Sequence, residues 1–417
     1  MIPLSKKGVI KIVRMSAITL TILNAIRRSS VPQSKANLVK QTKFSLATIN
    51  EHTELLLQRG LVMESDVGPS TGGRKPRLLS FNAKLGYIVA IDVESTRVKV
   101  GLTDLNCRME ATEVCRDIDI GSGPTAVLEK TKEIVFQLMQ ASGIKPDQIK
   151  GIGMGLPGPV RFSSGIPASL DIMPGWENYD VRSFWKQYFD CLCFVDNNVN
   201  TMALAEQLQF GADGSQNFIV VKIGNGIGAS IICNGQIFRG ATEYAGSIGH
   251  INIGHDKLCY CGNRGCLEAY AGGRAIAARA ELLARSNQSE KLKKRLEEKG
   301  KLKLSDVREA VVQSDPVAVE LMRECGSVIG NVLSGLVNFF NPSDVIVGGS
   351  VSSVGDVLLA SIRQSVYQHS LPLVTRNLNI RQLMHGDDAG LIGAAALVAD
   401  EIIDHRLFDD DAFKAGY

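Results

Sequence analysis

The segment GHINIGHDKLCYCGNRGCLEAY brings together His250, Cys259, Cys261 and Cys266, four ligands of the right softness for one tetrahedral Zn²⁺. Gly262 and Gly265 let the short loop fold back so that Cys261 and Cys266 reach the same ion. Three thiolates and one imidazole leave no open coordination position, so the expected zinc is structural rather than catalytic. His255 matches no ligand position and reads as a solvated loop histidine. Cys107, Cys115, Cys191, Cys193, Cys233 and Cys325 lie in apolar contexts and read as core residues. Nine cysteines, an odd number in a chain of 417 residues, argue against a secreted disulfide framework.

A second group of residues suits a polyanion. Residues 1–86 carry fourteen Lys/Arg against four Asp/Glu, a net +10, whereas the remaining 331 residues sum to −7. Within this basic head, Ile18, Ile22, Leu23 and Ile26 fall on one helical face, Ser34 opens a second short helix, and Ser45 opens a third with Ile49, Leu56 and Leu57 inward. A strand from LVMES, a Gly-rich turn with Arg74, Lys75 and Arg77, and an apolar strand follow. Three helices and a hairpin with a basic tip predict a winged helix-turn-helix. Lys43, Ser45, Thr48 and Asn50 are the candidates at the base edges of a major groove, and Arg74, Lys75 and Arg77 those of the wing. The alternative use of such a unit is protein interaction. Glu51 and Glu54 are expected to face away from phosphates.

The remainder alternates strands and helices with glycine turns at strand ends, at GLPGPV, GNGIGA and VGGS, which favours an α/β fold binding ligands at those turns. Apolar residues at 45% and charged residues at 21% describe a soluble globular chain. No run of 18 uncharged apolar residues suggests a membrane span, and the start lacks a signal-peptide core, so a cytoplasmic location is expected. Residues 286–311 are charge-dense with helical spacing and predict a solvated helix pair.

In their order, GIGMGLPGPV, VDNNVNTMALAE, GNGIGA, GSIGH, CYCGNRGCLE and VIVGGS resemble the ROK family of repressors, open reading frames and sugar kinases. The resemblance spans nearly the whole chain and includes the xylose and N-acetylglucosamine repressor group. It implies an N-terminal winged helix-turn-helix at 1–82 followed by a two-lobed actin/hexokinase-like body. The first α/β lobe is expected at 83–195 plus 386–417, and the second, with the zinc loop and an oligomerisation surface, at 196–385. It also implies homodimers or homotetramers, a double-stranded DNA operator, and a sugar or sugar derivative as effector. Asn197, His250 and Glu268 match positions that contact sugar hydroxyls, and Trp176 lies where the family presents a cleft loop, either stacking on a sugar or packing between lobes.

Three departures bear on catalysis. The kinases' first phosphate turn, DxGGT, reads Asp92-Val93-Glu94-Ser95-Thr96, placing a carboxylate where ATP phosphates would approach. Asn198 occupies the catalytic aspartate position, and an amide cannot accept a hydroxyl proton. Asn225 replaces a threonine in the second phosphate turn. Ser247 stands where the kinases carry a glutamate, removing a charged acceptor for sugar hydroxyls. The expectation is a sugar-responsive regulator, a repressor, of carbohydrate-utilisation genes that does not use ATP. An active sugar kinase with a regulatory head, and a regulator sensing a protein partner, are the alternatives.

Overall fold

Serine hydroxyls open each helix of the head. In the computed structural model, which describes residues 16–29, 31–67, 77–168, 173–210 and 214–403, Ser16, Ser34 and Ser45 each accept an otherwise orphaned amide. They start α1 (Ala17–Arg27), α2 (Lys35–Thr42) and α3 (Leu46–Gln58). Ile22, Leu23 and Ile26 pack with Leu38, Ile49 and Leu56. The inward stripe of α1 runs 19, 22, 23, 26, so Thr19 is buried against His52 while Ile18 is exposed, unlike the expected face. Leu57 is half-buried. Strands β1 (Gln33–Ser34), β2 (Val62–Val67) and β3 (Arg77–Phe81) complete the head as an antiparallel sheet in the order β1-β3-β2.

The body holds two five-stranded sheets. The first orders β4 (Tyr87–Val93), β5 (Val98–Asp104), β6 (Met109–Cys115), β7 (Ile149–Leu156) and β10 (Leu192–Asn197) as β10-β7-β4-β5-β6, with β7 parallel to both neighbours. A small hairpin of β8 (Val160–Arg161) and β9 (Ile166–Pro167) precedes β10. Helices α4 (Pro124–Ser142) and α5 (Val181–Lys186) cover one face, and the near-continuous burial of β4 and β5 requires a cover on the other. In the second sheet, β11 (Phe218–Ile223), β12 (Ile227–Cys233), β13 (Gln236–Ile237), β14 (Asp344–Gly348) and β15 (Asn379–Gln382) run β13-β12-β11-β14-β15. Its core is filled from α7 (Leu267–Ala271), α8 (Gly273–Arg285), α11 (Pro316–Phe340) and α12 (Asp356–His369). The charge-dense segment forms α9 (Glu290–Lys299) and α10 (Leu304–Val312), whose exposed faces are polar apart from Val312 while Leu292 and Val307 anchor them.

Two helices tie these units together. Helix α6 (Asn198–Phe210) begins where β10 ends, and α14 (Ala389–Glu401) lies against it and against β4 and β7. The approach is close enough to need glycine: a Cβ on Gly153 would sit 1.7 Å from the Ala394 carbonyl oxygen, and one on Gly393 would sit 1.6 Å from that of Thr201. Helix α14 is apolar on most sides because it is enclosed on most sides. Leu391, Ala394, Ala395 and Val398 join Ile88 and the head residues Ile22, Leu23, Leu79 and Phe81 in one continuous core. No helix among the described residues is long and apolar enough to cross a membrane.

Candidate effector cleft, metal centre and nucleic-acid interface

The metal loop folds as its ligands demand. The ligating atoms of His250, Cys259, Cys261 and Cys266 all lie within 4.8 Å of one another. Cys261 Sγ is 3.7 Å from Cys266 Sγ, and Cys259 Sγ is 3.8 Å from His250 Nδ1. Two sulfurs each about 2.3 Å from one tetrahedral ion would be about 3.8 Å apart, so the donor set fits Zn²⁺. His250 turns its Nε2 away from the sulfurs, 3.3 Å from the Tyr260 hydroxyl. Gly265 needs its glycine, with φ of 85° and space for a Cβ blocked by Asn252 and the His255 carbonyl. His255 is a brace rather than a solvated side chain. Its Nδ1 accepts from the Lys257 amide at 3.0 Å, which leaves Nε2 to donate to the Cys266 carbonyl at 3.0 Å, and its ring stacks on Tyr270.

Among the residues expected to contact a sugar, Asn197 uses both ends of its amide on the backbone. Its Nδ2 donates to the Gly158 carbonyl at 2.8 Å and its Oδ1 accepts from Val199 at 2.9 Å, fixing the strand-to-helix turn. Asn198 is buried, with Nδ2 3.5 Å from the Val93 carbonyl. Ser247 is exposed and donates to the Tyr244 carbonyl at 3.3 Å. Glu268 is buried on α7, and its Oε2 accepts from the Ile227 amide at 2.7 Å beside Gly226; burial pushes its carboxyl above the ordinary range. The metal loop and the second glycine turn are therefore one unit. Trp176 does not reach the cleft. It is fully buried in the core of the first lobe, its Nε1 donating to the Ile120 carbonyl at 3.2 Å, so packing is its role.

Sequence reading missed the contacts that join the lobes. Arg239 donates to buried Asp196 at 2.5 Å and lies 3.9 Å over the Phe162 ring, and Glu243 accepts from Ser163 at 2.9 Å. No local pattern announces pairs so far apart in the chain.

The β4–β5 turn, which matches the kinases' first phosphate turn, is filled by the chain's own charges. In the β4–β5 turn Arg97 donates to Glu94 at 2.7 and 3.1 Å and to Asp387 at 2.9 Å twice. Lys99 pairs with Asp387 and Asp388, and Lys222 on β11 is 3.9 Å from Glu94, across the lobes. Burial raises Glu94, but Lys222 and Arg97 together hold its carboxyl below the ordinary range. Hydrogen bonds from Arg97 hold Asp387 well below it. Asp92 is buried beside Gly390 with Oδ1 unpaired among the described residues, and burial pushes its carboxyl up to about 6 against the pull of Lys222.

In the head, Lys43 is exposed and ends α2 in the left-handed region at φ 63°. Ser45 accepts from the Thr48 amide at 3.1 Å and its Oγ is 2.8 Å from that of Thr48, so these two hydroxyls are engaged in capping. Asn50 is exposed, and its side chain makes no hydrogen bond among the described residues. Arg77 is exposed but ion-paired with Glu64 on the facing strand. Arg74 and Lys75 lie outside the described residues.

Two α/β lobes, one carrying a His/Cys loop that could hold a metal, and a head of three helices and a hairpin define a sugar-kinase-like protein with a helix-turn-helix attachment. The chain belongs to the ROK family, whose sequence profile matches residues 88–401. It is 30% identical over 372 residues to the xylose repressor of Caldicellulosiruptor bescii, covering 89% of this chain and 92% of that one. It is 32% identical over 319 residues to the glucokinase of Halalkalibacterium halodurans, covering 76% and 96%. A solved ROK family transcriptional regulator, a homologue of the Escherichia coli MLC protein, shares the fold with a TM-score of 0.77 at 24% identity, over 96% of this chain and 99% of that one.

Proposed function

We propose that the chain is a sugar-responsive transcriptional repressor: its head binds operator DNA, and its body binds a sugar or sugar derivative without phosphorylating it. The observation that carries the absence of catalysis is the occupied first phosphate turn. Glu94, fixed by Arg97 and Lys222, puts negative charge where nucleotide phosphates would lie, and Asn198 offers no base. The likeness to the xylose repressor over nine-tenths of both chains, head included, supports the regulatory part. The likeness to a glucokinase, over 76% of this chain, is what favours a kinase instead. A coupled ATP-consumption assay over hexoses and N-acetylhexosamines separates the two: turnover at background supports the repressor, and sustained turnover with any sugar establishes the kinase.

His250, Cys259, Cys261 and Cys266 would hold a structural Zn²⁺, which supplies rigidity and no reacting group. Asn197, Asn198, Ser247, His250 and Glu268 form the candidate effector subsite. Helix α14 is suited to carry the response. Its N-terminal end follows Asp387, which pairs with Arg97 of the filled phosphate turn, and its C-terminal end holds Asp400, which ion-pairs with Arg27 of α1 and with Arg28 just after it. A lobe movement caused by the effector would displace this rod and with it the head, weakening operator binding. A dimer or tetramer would set two heads on a two-fold symmetric site.

A further inference from the structure

The end of α3 that would enter a major groove presents hydrocarbon. Leu46, the first residue of the helix, is 55% exposed, and Ala47 beside it is exposed as well. Asn50 stands one turn further along the same side as Leu46, exposed and with its amide free of hydrogen bonds among the described residues. Of the polar residues nearby, Ser45 caps the helix by accepting from the Thr48 amide and the two hydroxyls bond each other, while Lys43 is exposed but belongs to the end of α2. A face with two apolar side chains and one free amide cannot read a G·C edge in the usual way, because it has neither a guanidinium for guanine nor a carboxylate for cytosine at those positions.

Resting on the proposed operator binding, we propose that Leu46 and Asn50 are the specificity-determining pair of the head and read A·T pairs, Leu46 by packing on a thymine C5-methyl and Asn50 by a bidentate bond to adenine N6 and N7. Leu46 and Asn50 are separated by about 6 Å along the helix axis. With base pairs stacked about 3.4 Å apart, the thymine and the adenine fall within about two steps of one another. The contact also gives Leu46 a reason to be apolar at a position where the free protein would be served better by a polar residue.

The full-length protein would be used to enrich duplexes from a random pool, and each thymine of the enriched half-site then replaced by uracil, which lacks only the methyl group. One replacement should weaken binding by the parent protein about three- to tenfold, the worth of a buried methyl and its surroundings. The same replacement should leave the Leu46→Ala protein unaffected, while Asn50→Ala should lose discrimination at an A·T pair within two steps. Unchanged binding of the parent to every uracil-bearing site, or undiminished uracil sensitivity in Leu46→Ala, would overturn the assignment while leaving operator binding intact. A pool that yields no enriched sequence would remove operator binding itself, and this pair of readers with it.

Discussion

Asp92 shows how a single residue can report on the charged β4–β5 turn. It lies under the phosphate turn with one carboxylate oxygen unpaired, its carboxyl raised to about 6 from an unfolded value near 3.8. A group raised in this way favours folding when protonated; its contribution is complete below about pH 4 and is lost as pH rises through about 6. Asp92→Asn, neutral at every pH, should therefore be more stable than the parent at pH 8 by up to about 3 kcal/mol, by about half that at pH 5, and not at all near pH 4. Paired thermal melts across this range test it; an advantage independent of pH would show that the carboxylate is not the cause. At the metal centre, one zinc per chain should be found by elemental analysis. Cys261→Ser or strong chelation should cost at least about 4 kcal/mol if zinc is normally present at a thousandfold excess over its dissociation constant. A protein that melts alike with and without chelator would contradict a structural ion. These ligands were legible in the sequence because they lie close together in it. Trp176 and His255 were not: the burial of one depends on residues as far off as Ile120, and the contacts of the other, though close in sequence, appear only once the loop has folded back on itself.

Helix α14 was legible as a helix, but not its position, because an apolar helix can be enclosed by many partners. Its glycines record the actual ones. Gly393 meets the Thr201 carbonyl of α6 so closely that Gly393→Ala must push the two helices apart. Overpacking of this kind costs about 1–3 kcal/mol, so the variant should unfold at lower denaturant concentration with an unchanged slope. An unaltered midpoint would mean that the α6–α14 contact is looser than described. In the head the caps at Ser34 and Ser45 were readable because capping is local. The inward stripe of α1 was misplaced at Ile18, because a hydroxyl bonded to His52 wins the buried position that hydrophobicity alone would give to isoleucine.

Across the whole molecule, the two lobes and the head are not independent beads. One core runs from Leu23 of α1 through Phe81 to Val398 of α14, and Asp400 closes it with the ion pair to Arg27, whose side chain is 6% exposed. Asp400→Ala should leave the protein folded, since Asp400 itself is 56% exposed, and should reduce the ratio of operator affinities without and with effector. A ratio equal to the parent's would remove α14 from the path of communication. The alternation of strands and helices made the α/β class readable along the chain. The joining of lobes by Arg239–Asp196, Lys222–Glu94 and Glu243–Ser163 was not readable, because nothing local marks either partner.

The most direct measurement is fluorescence anisotropy of an enriched operator duplex titrated with full-length protein at fixed salt, without and with each sugar of a panel. The account predicts binding at least about a thousandfold tighter than to a shuffled duplex, and a five- to 150-fold loss, in round numbers, with one sugar or sugar derivative. Equal affinity for the enriched and shuffled duplexes, or an affinity that no sugar alters, would contradict it.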